Sequence, residues 1–333
     1  MRLDSITALV QDDLQQVERL LREGMRSVAP LIPEVGEHAF ASGGKRVRPL
    51  LVLLCARLCG YRGPRAMQVA SAVEFLHTAT LMHDDVVDGA ATRRGRASVN
   101  ARWGDRIAIL VGDFLYARAS QTLVEDGNPD ILWIYANTIR MMSEGEVMQL
   151  ERSFDPEIPE AVYLEVIGHK TSSLLATAAE SGAILGGVTR AERNSVREYG
   201  WQVGLPFQIV DDALDYTGDG NELGKAPLTD LSEGKVTLPL ILALKRCSGA
   251  ERALVGSVLK GIAKARLAGD SASAAADVAS VAGIVERYRG AELALDRARE
   301  CAARANAQIA PFAACDAQRA LTDLADFVVQ RTR

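Results

Sequence analysis

Two short acidic runs stand out by what surrounds them. His83-Asp84-Asp85-Val86-Val87-Asp88 and Val210-Asp211-Asp212-Ala213-Leu214-Asp215 share the spacing DDxxD. On a helix, residues four apart project from one face, so Asp84 pairs with Asp88 and Asp211 with Asp215. Asp85 and Asp212 sit about a quarter turn away. Like charges at this spacing cost a helix a few tenths of a kcal/mol per pair. A solvated acidic face would tolerate that, but the flanks here, LHTATLMHDDVV and PFQIVDDALDY, are apolar core sequence. Helix N-caps are a poor explanation too, because both runs lie inside a helical pattern. The chemistry that fits is binding of a hard divalent cation such as Mg²⁺, which takes carboxylate oxygens and keeps positions open for substrate phosphates. His77, Thr80, Asp84 and Asp88 fall in one stripe, since seven residues make about two turns; a lone His is more often an ordinary core residue, but this alignment favours His77 lining the same cavity.

Cations are interleaved with these carboxylates. Gly43-Gly44-Lys45-Arg46-Val47-Arg48-Pro49 sets glycines and three cations before an apolar helix, with Pro49 near its start. The preceding turn can aim Lys45 and Arg48 at an anion. The spacing is not that of a Walker loop. Arg93-Arg94-Gly95 follows the first aspartates, and Gly224-Lys225 and Glu233-Gly234-Lys235 follow the second. Lys170-Thr171 precedes a run of small residues, where a lysine either snorkels or faces a polar cavity. Each cation alone reads as a surface charge; together they describe a diphosphate site. Unit charges 4 Å apart interact by about 4 kcal/mol at an effective dielectric of 20, so diphosphate beside bare carboxylates needs intervening metal and covering Arg or Lys. Metal-bound diphosphate is also the better leaving group.

The elements that must position these groups are helices. Apolar residues recur at three and four over 66–88, 105–125, 131–152, 161–186, 191–216 and 286–310, with period-2 alternation nearly absent. The breaks, such as Gly60–Pro64, Asp126–Pro129, Asp155–Pro159 and Thr217–Gly224, are too short for domain linkers. The expectation is one all-α domain over residues 1–333, with an N-terminal helical segment to residue 40 and the motifs from 43 onward. The composition is that of a folded globular chain, 48% hydrophobic and 24% charged. A net charge of −5 without a basic block argues against nucleic acid as partner. No apolar run approaches the roughly 18 residues of a membrane span. The segment MRLDSITALVQDDLQQVERL reads as an acidic amphipathic helix, not a signal peptide. Five cysteines form no CxxC pair, which fits reduced thiols and a cytoplasmic setting.

GGKRVRP, HTATLMHDDVVD, RRG, GDFLYARA, EGEVMQL, KTSSL, QIVDDALDY, GK…DLSEGKVTLPL and the final VVQRTR, in this order and spacing, resemble trans-polyprenyl diphosphate synthases from about residue 40 to the end. The resemblance implies an all-α isoprenoid-synthase fold around a central cavity, in a homodimer. It implies repeated head-to-tail condensation of isopentenyl diphosphate onto an allylic diphosphate, farnesyl diphosphate being the expected primer. An octaprenyl product, destined for a ubiquinone side chain, is the expected outcome. By the same resemblance, Asp84, Asp88, Asp211, Asp212 and Asp215 bind Mg²⁺, with Asp85 beside them in the catalytic set. Arg93, Lys170, Thr171, Gln208, Lys225 and Lys235 hold the allylic diphosphate, and Lys45, Arg48, His77 and Arg94 hold isopentenyl diphosphate. The implied reaction is ionisation, condensation and elimination, with no side-chain nucleophile, in an apolar cavity that keeps water from the cation.

Product length has its own signature in that family, where bulky residues four and five places before the first aspartate close the cavity. Here those places hold Thr80 and Ala79, both small. The helical period puts Thr80 on the Asp84 face; the role of Ala79 rests on the resemblance. Ile139, Met141 and Met142 are candidates for the tunnel stopper. One departure is visible: Gly224-Lys225 is followed by Ala226-Pro227, where the family commonly has glycine before the acidic pair. The alternatives are a shorter- or longer-chain synthase (geranylgeranyl, solanesyl, decaprenyl) and a non-catalytic partner subunit. Decay of the aspartates would mark the last, and both clusters are intact. Release of so apolar a product would bring the protein to a membrane surface.

Overall fold

Ala, Leu, Glu and Arg dominate the chain at helical spacing, and helices are what they build. The computed structural model describes residues 3–41, 45–93, 95–217, 228–268 and 278–330. Its long helices include Arg65–Asp88, Asp105–Asp126, Pro129–Glu151, Arg190–Thr217 and Gly290–Ile309. The only strands among the described residues are Thr92–Arg93 and Arg96–Ala97, an antiparallel pair with Thr92 opposite Ala97 and Arg93 opposite Arg96.

Two departures from the periodicity have physical causes. The helix expected over 161–186 is interrupted: Glu160–Ile167 passes through a π-helical turn at Gly168–Ser172 before continuing as Ser173–Gly186. A π turn adds a residue without stopping the helix, so apolar spacing reads straight through it. The helix expected over 286–310 is broken between Val278–Arg287 and Gly290–Ile309, with Arg289 in the left-handed region at φ 56°. A side chain at Gly290 would put its Cβ 2.2 Å from the Pro239 carbonyl oxygen. The close passage of that backbone bends the chain there.

The described chain divides into two compact units. The first comprises residues 1–139, 174–201 and 305–327, the second 140–173, 202–304 and 328–333. In the first, Arg65–Asp88 packs along Asp105–Asp126 and against Val47–Leu58 and Gln11–Gly24. Val69, Ala70, Ala72, Val73, Leu76 and Ala79 of that helix are all within 1% of complete burial. At roughly 25 cal/mol per Å² of apolar surface, this burial offsets the cost of the acidic stripe at its C-terminal end. In the second unit, Leu238–Leu244 is buried along its whole length and packs against Glu160–Ile167 and Val278–Arg287.

Among the described residues one helix, Asp105–Asp126, is long and apolar enough to cross a bilayer by length and composition, its apolar residues interrupted by Arg106, Asp113 and Arg118. All five cysteines are free. Burial pushes the Cys55 thiol up and raises Cys59 to about 12, so both behave as small core residues.

Candidate active site

The first aspartate cluster closes the helix Arg65–Asp88, which Gly89 caps with φ 66°. The apolar flank puts this end against the core, and the three carboxylates divide accordingly. Asp85 is 3% exposed, whereas Asp84 and Asp88 are half-buried. Asp85 takes a bidentate grip from Arg93 on the short hairpin, with Nε 2.8 and 2.9 Å from the two carboxylate oxygens and Nη2 2.6 Å from Oδ1. Its backbone carbonyl accepts the Asn100 amide at 3.1 Å. Asp85 thus pins the hairpin to the helix. Burial works against the Arg93 charge, but hydrogen bonds and attraction from Asp85, then from Asp84 and Asp88, hold its pKa above the ordinary guanidinium value. All three carboxylates therefore act on one guanidinium.

One residue outside the sequence reading joins this cluster. Tyr116, on Asp105–Asp126, stacks on His83 with ring centroids 5.5 Å apart. Burial, then Tyr135, Asp84 and Asp113, push its phenol up to about 12. GDFLYARA carried a signal for it, but no short-range spacing linked it to Asp84.

Further back on the same helix, His77 meets Arg48. The Arg48 Nη1 donates to His77 Nε2 at 3.0 Å, which assigns the neutral tautomer with its proton on Nδ1. Two of the expected isopentenyl diphosphate ligands therefore touch each other. Lys45 is exposed, its ammonium 5.5 Å from the centre of the Phe327 ring. Arg94 lies outside the described residues. Ala79 is fully buried and Thr80 is 9% exposed, its hydroxyl donating to the His77 carbonyl.

The second cluster, in the other unit, is built differently. Asp212 is 3% exposed and accepts from the Tyr163 hydroxyl at 2.6 Å and from the Gln208 amide at 2.8 Å. Gln208 in turn accepts from the Thr171 hydroxyl at 2.9 Å. Thr171 and Lys170 sit on the π turn, which faces them away from the course a regular α-helix would set. The Lys170 ammonium donates to Glu146 at 2.8 Å and to Gln149 at 2.9 Å. Gly145 makes this possible: a Cβ there would come 2.8 Å from the Lys170 backbone nitrogen.

Asp215 is fully buried and holds the chain that follows. Its Oδ2 accepts the Asp230 amide at 3.1 Å, and its backbone carbonyl accepts the Leu228 amide at 3.0 Å. Asp211 is half-buried. A small cavity of about 70 Å³ is lined by Gln149, Lys170, Gln208, Asp212, Asp230 and Lys235, among others. Four of the predicted residues, Lys170, Gln208, Asp212 and Lys235, thus share one space. The Lys235 ammonium also reaches Glu233 at 2.6 Å. Lys225 lies outside the described residues. Asp230, Glu146, Gln149 and Tyr163 escaped the sequence reading. Glu146 and Gln149 are three apart in EGEVMQL, a helical spacing that marks one face; nothing local marked Tyr163.

Electrostatically this cavity is strained toward protonation. Burial, then repulsion from Asp230 and Asp211, raises the Asp212 carboxyl to about 8 even though Tyr163 and Gln208 pull the other way. Tyr163 is pushed well up by burial and by the charge of Asp212. The carboxylates of Asp212 and Asp230 are hard oxygen donors of the kind that could hold a divalent ion, which would compete with a proton for Asp212. Among the described residues no three His, Cys, Asp or Glu side chains gather closely enough to cage a metal alone.

The polyprenyl synthetase family model matches residues 29–275. An octaprenyl diphosphate synthase of Haemophilus influenzae is 38% identical over 331 residues, covering 99% of this chain and 98% of that protein. The crystal structure of a polyprenyl synthase from Caulobacter crescentus, complexed with calcium and isoprenyl diphosphate, superposes with a TM-score of 0.91 at 42% identity, over 100% of this chain and 98% of that one. A decaprenyl diphosphate synthase from Rhodobacter capsulatus gives the same TM-score, 0.91, at 38% identity over the full length of both chains.

Proposed function

This chain belongs to the polyprenyl synthetase family, and from that premise we propose that it is a long-chain trans-polyprenyl diphosphate synthase, adding isopentenyl diphosphate repeatedly to an allylic diphosphate with Mg²⁺ as its ion. The observation that carries the site assignment is the cavity shared by Lys170, Lys235, Gln208 and Asp212. Two ammonium groups and an uncharged donor facing a buried carboxylate make sense for a ligand that is itself polyanionic and brings cations with it.

In this reading Arg93, Lys170, Thr171, Gln208, Lys235 and Lys225 cover the oxygens of the allylic diphosphate, and Lys45, Arg48, His77 and Arg94 hold isopentenyl diphosphate. Asp84 and Asp88, and likewise Asp211, Asp212 and Asp215, would hold Mg²⁺, which when bound neutralises the charge that grows on the departing diphosphate. The allylic C–O bond breaks, its electron pair leaving with diphosphate. The double bond of isopentenyl diphosphate then attacks the allylic carbon, and the proton lost restores a double bond and goes to the released diphosphate. The side chains bind, orient and keep water away; none forms a covalent bond to substrate. Bidentate and ammonium contacts to phosphate suit Arg and Lys for this work.

Small residues at Ala79 and Thr80 favour a long product, with an octaprenyl chain for a ubiquinone side chain as the expected length. Each added unit buries five carbons, about 4 kcal/mol at 0.8 per methylene, so growth continues until a side chain blocks it. The protein acts as a homodimer in the cytoplasm and delivers its product at a membrane surface. Ile109, Leu110 and Val124, at 42%, 62% and 61% exposure on Asp105–Asp126, are apolar surface that a second copy would cover.

Turnover of the Asp84→Ala and Asp211→Ala variants tests the assignment. Each should fall by about 10²- to 10³-fold while the protein stays folded, as for loss of a group that stabilises developing charge. Near wild-type turnover in either, or retained turnover after chelation, would remove the metal role. Ala79→Tyr should shorten the product, and an unchanged product would place the tunnel elsewhere.

A further inference from the structure

The geometry points to Arg46 as a positioning residue for isopentenyl diphosphate, a latch that ties Lys45 and Arg48 to the N-terminal helix Gln11–Gly24. The inference rests on the reading that Lys45, Arg48 and His77 hold that substrate. Arg46 lies between the two cations, yet its own side chain turns inward and is 12% exposed. Its Nε is 2.5 Å from Glu18 Oε1, and its Nη1 is 2.7 Å from Glu74 Oε1. A third contact runs from Nη2 to the Phe40 carbonyl at 3.4 Å, and the guanidinium lies 5.6 Å from the centre of the Phe40 ring.

What the latch holds is a backbone conformation that arginine does not choose freely. Arg46 caps the helix Val47–Leu58 in the left-handed region, φ 44° and ψ 38°, where N-caps ordinarily take extended values. Its carbonyl accepts the Leu50 amide at 2.9 Å, so this residue sets both the start and the phase of the helix. Lys45 precedes it directly and Arg48 follows two residues later, in contact with His77. Releasing Arg46 frees both neighbours to turn. Glu74 sits on the helix that carries His77, with a side chain 6% exposed. One guanidinium therefore joins three helices around the cations. Glu18 lies outside the region that the family model matches, residues 29–275.

The test is steady-state kinetics with each substrate varied in turn. Arg46→Gln should raise KM for isopentenyl diphosphate about tenfold and leave KM for the allylic diphosphate within about twofold, consistent with loss of charge-assisted pairs away from that substrate. Arg46→Lys, which keeps charge without the planar fork, should fall between. Glu18→Gln should raise the same KM by about threefold. The double variant should be no worse than Arg46→Gln alone, because the pair acts as one unit. Glu18→Gln carries the test if Arg46→Gln does not fold. A shift of both KM values together, or of neither, overturns the latch. Lys45→Ala and Arg48→Ala run alongside: if they leave KM for isopentenyl diphosphate unchanged, the site assignment falls and the latch with it. If they raise it while the Arg46 and Glu18 variants do not, the latch alone falls.

Discussion

The two aspartate clusters carry the same DDxxD spacing and unlike electrostatics. In the first, the inner Asp85 is gripped by the Arg93 fork and the outer Asp84 and Asp88 are half-buried. In the second, the inner Asp212 is met by a hydroxyl and an amide, repelled by Asp230, and raised to about 8; Asp215 is fully buried and fastens the following backbone. A motif fixes which oxygens face together. For Asp212, burial and then the charges of Asp230 and Asp211 decide how readily it holds a charge.

Removing the partner behind each inner aspartate breaks this contrast most directly. Arg93→Ala leaves Asp85 buried without its cation. A fully buried pair would lose roughly 3–5 kcal/mol; because Arg93 is more than a third exposed, about 2–3 kcal/mol is expected, read as a lower denaturation midpoint. A midpoint unchanged within error would show that the hairpin anchor is dispensable. Tyr163→Phe removes one donor from Asp212 and should cost about 1–2 kcal/mol, with the Asp212 carboxyl rising further because that hydrogen bond lowers it. A variant as stable as the parent would mean that the phenol contributes nothing to the cavity.

The pH dependence of stability sharpens the comparison. Folded Asp212 keeps its proton where the unfolded chain, near the ordinary value of about 4, has lost it. The native state therefore binds more protons between about 4 and about 8, and stability falls as pH rises through that window. Asp212→Asn imitates the protonated acid and should flatten that part of the profile, raising the melting temperature relative to the parent at the alkaline end. Parallel profiles for the two proteins would place the charge of Asp212 with the ordinary carboxylates.

Much of this was legible in the chain. Helical periodicity found Arg65–Asp88 and Arg190–Thr217 because long, uninterrupted apolar stripes leave little choice of element. It passed through the π turn at Gly168–Ser172 and the break before Gly290, since one extra residue or one backbone collision leaves the apolar spacing intact. The hairpin at Thr92–Ala97 is too short for alternation to register. Residue type and spacing singled out the aspartates, Arg93, Lys170, Arg48 and His77, while the contact between the last two comes from the fold. Tyr163, Glu146 and Asp230 were hidden because their partners are 49, 24 and 15 residues away. Part of the difference between Asp85 and Asp212 was hidden for the same reason: Arg93 is eight residues from Asp85, but Tyr163 is 49 from Asp212.

The measurement that bears most directly on the whole account is the length of what the enzyme makes. Purified protein given farnesyl diphosphate, excess isopentenyl diphosphate and Mg²⁺ should yield a long all-trans product, octaprenyl by expectation, resolved by chromatography against standards of known length. Products that stop after one or two additions, or no elongation at all, would contradict it.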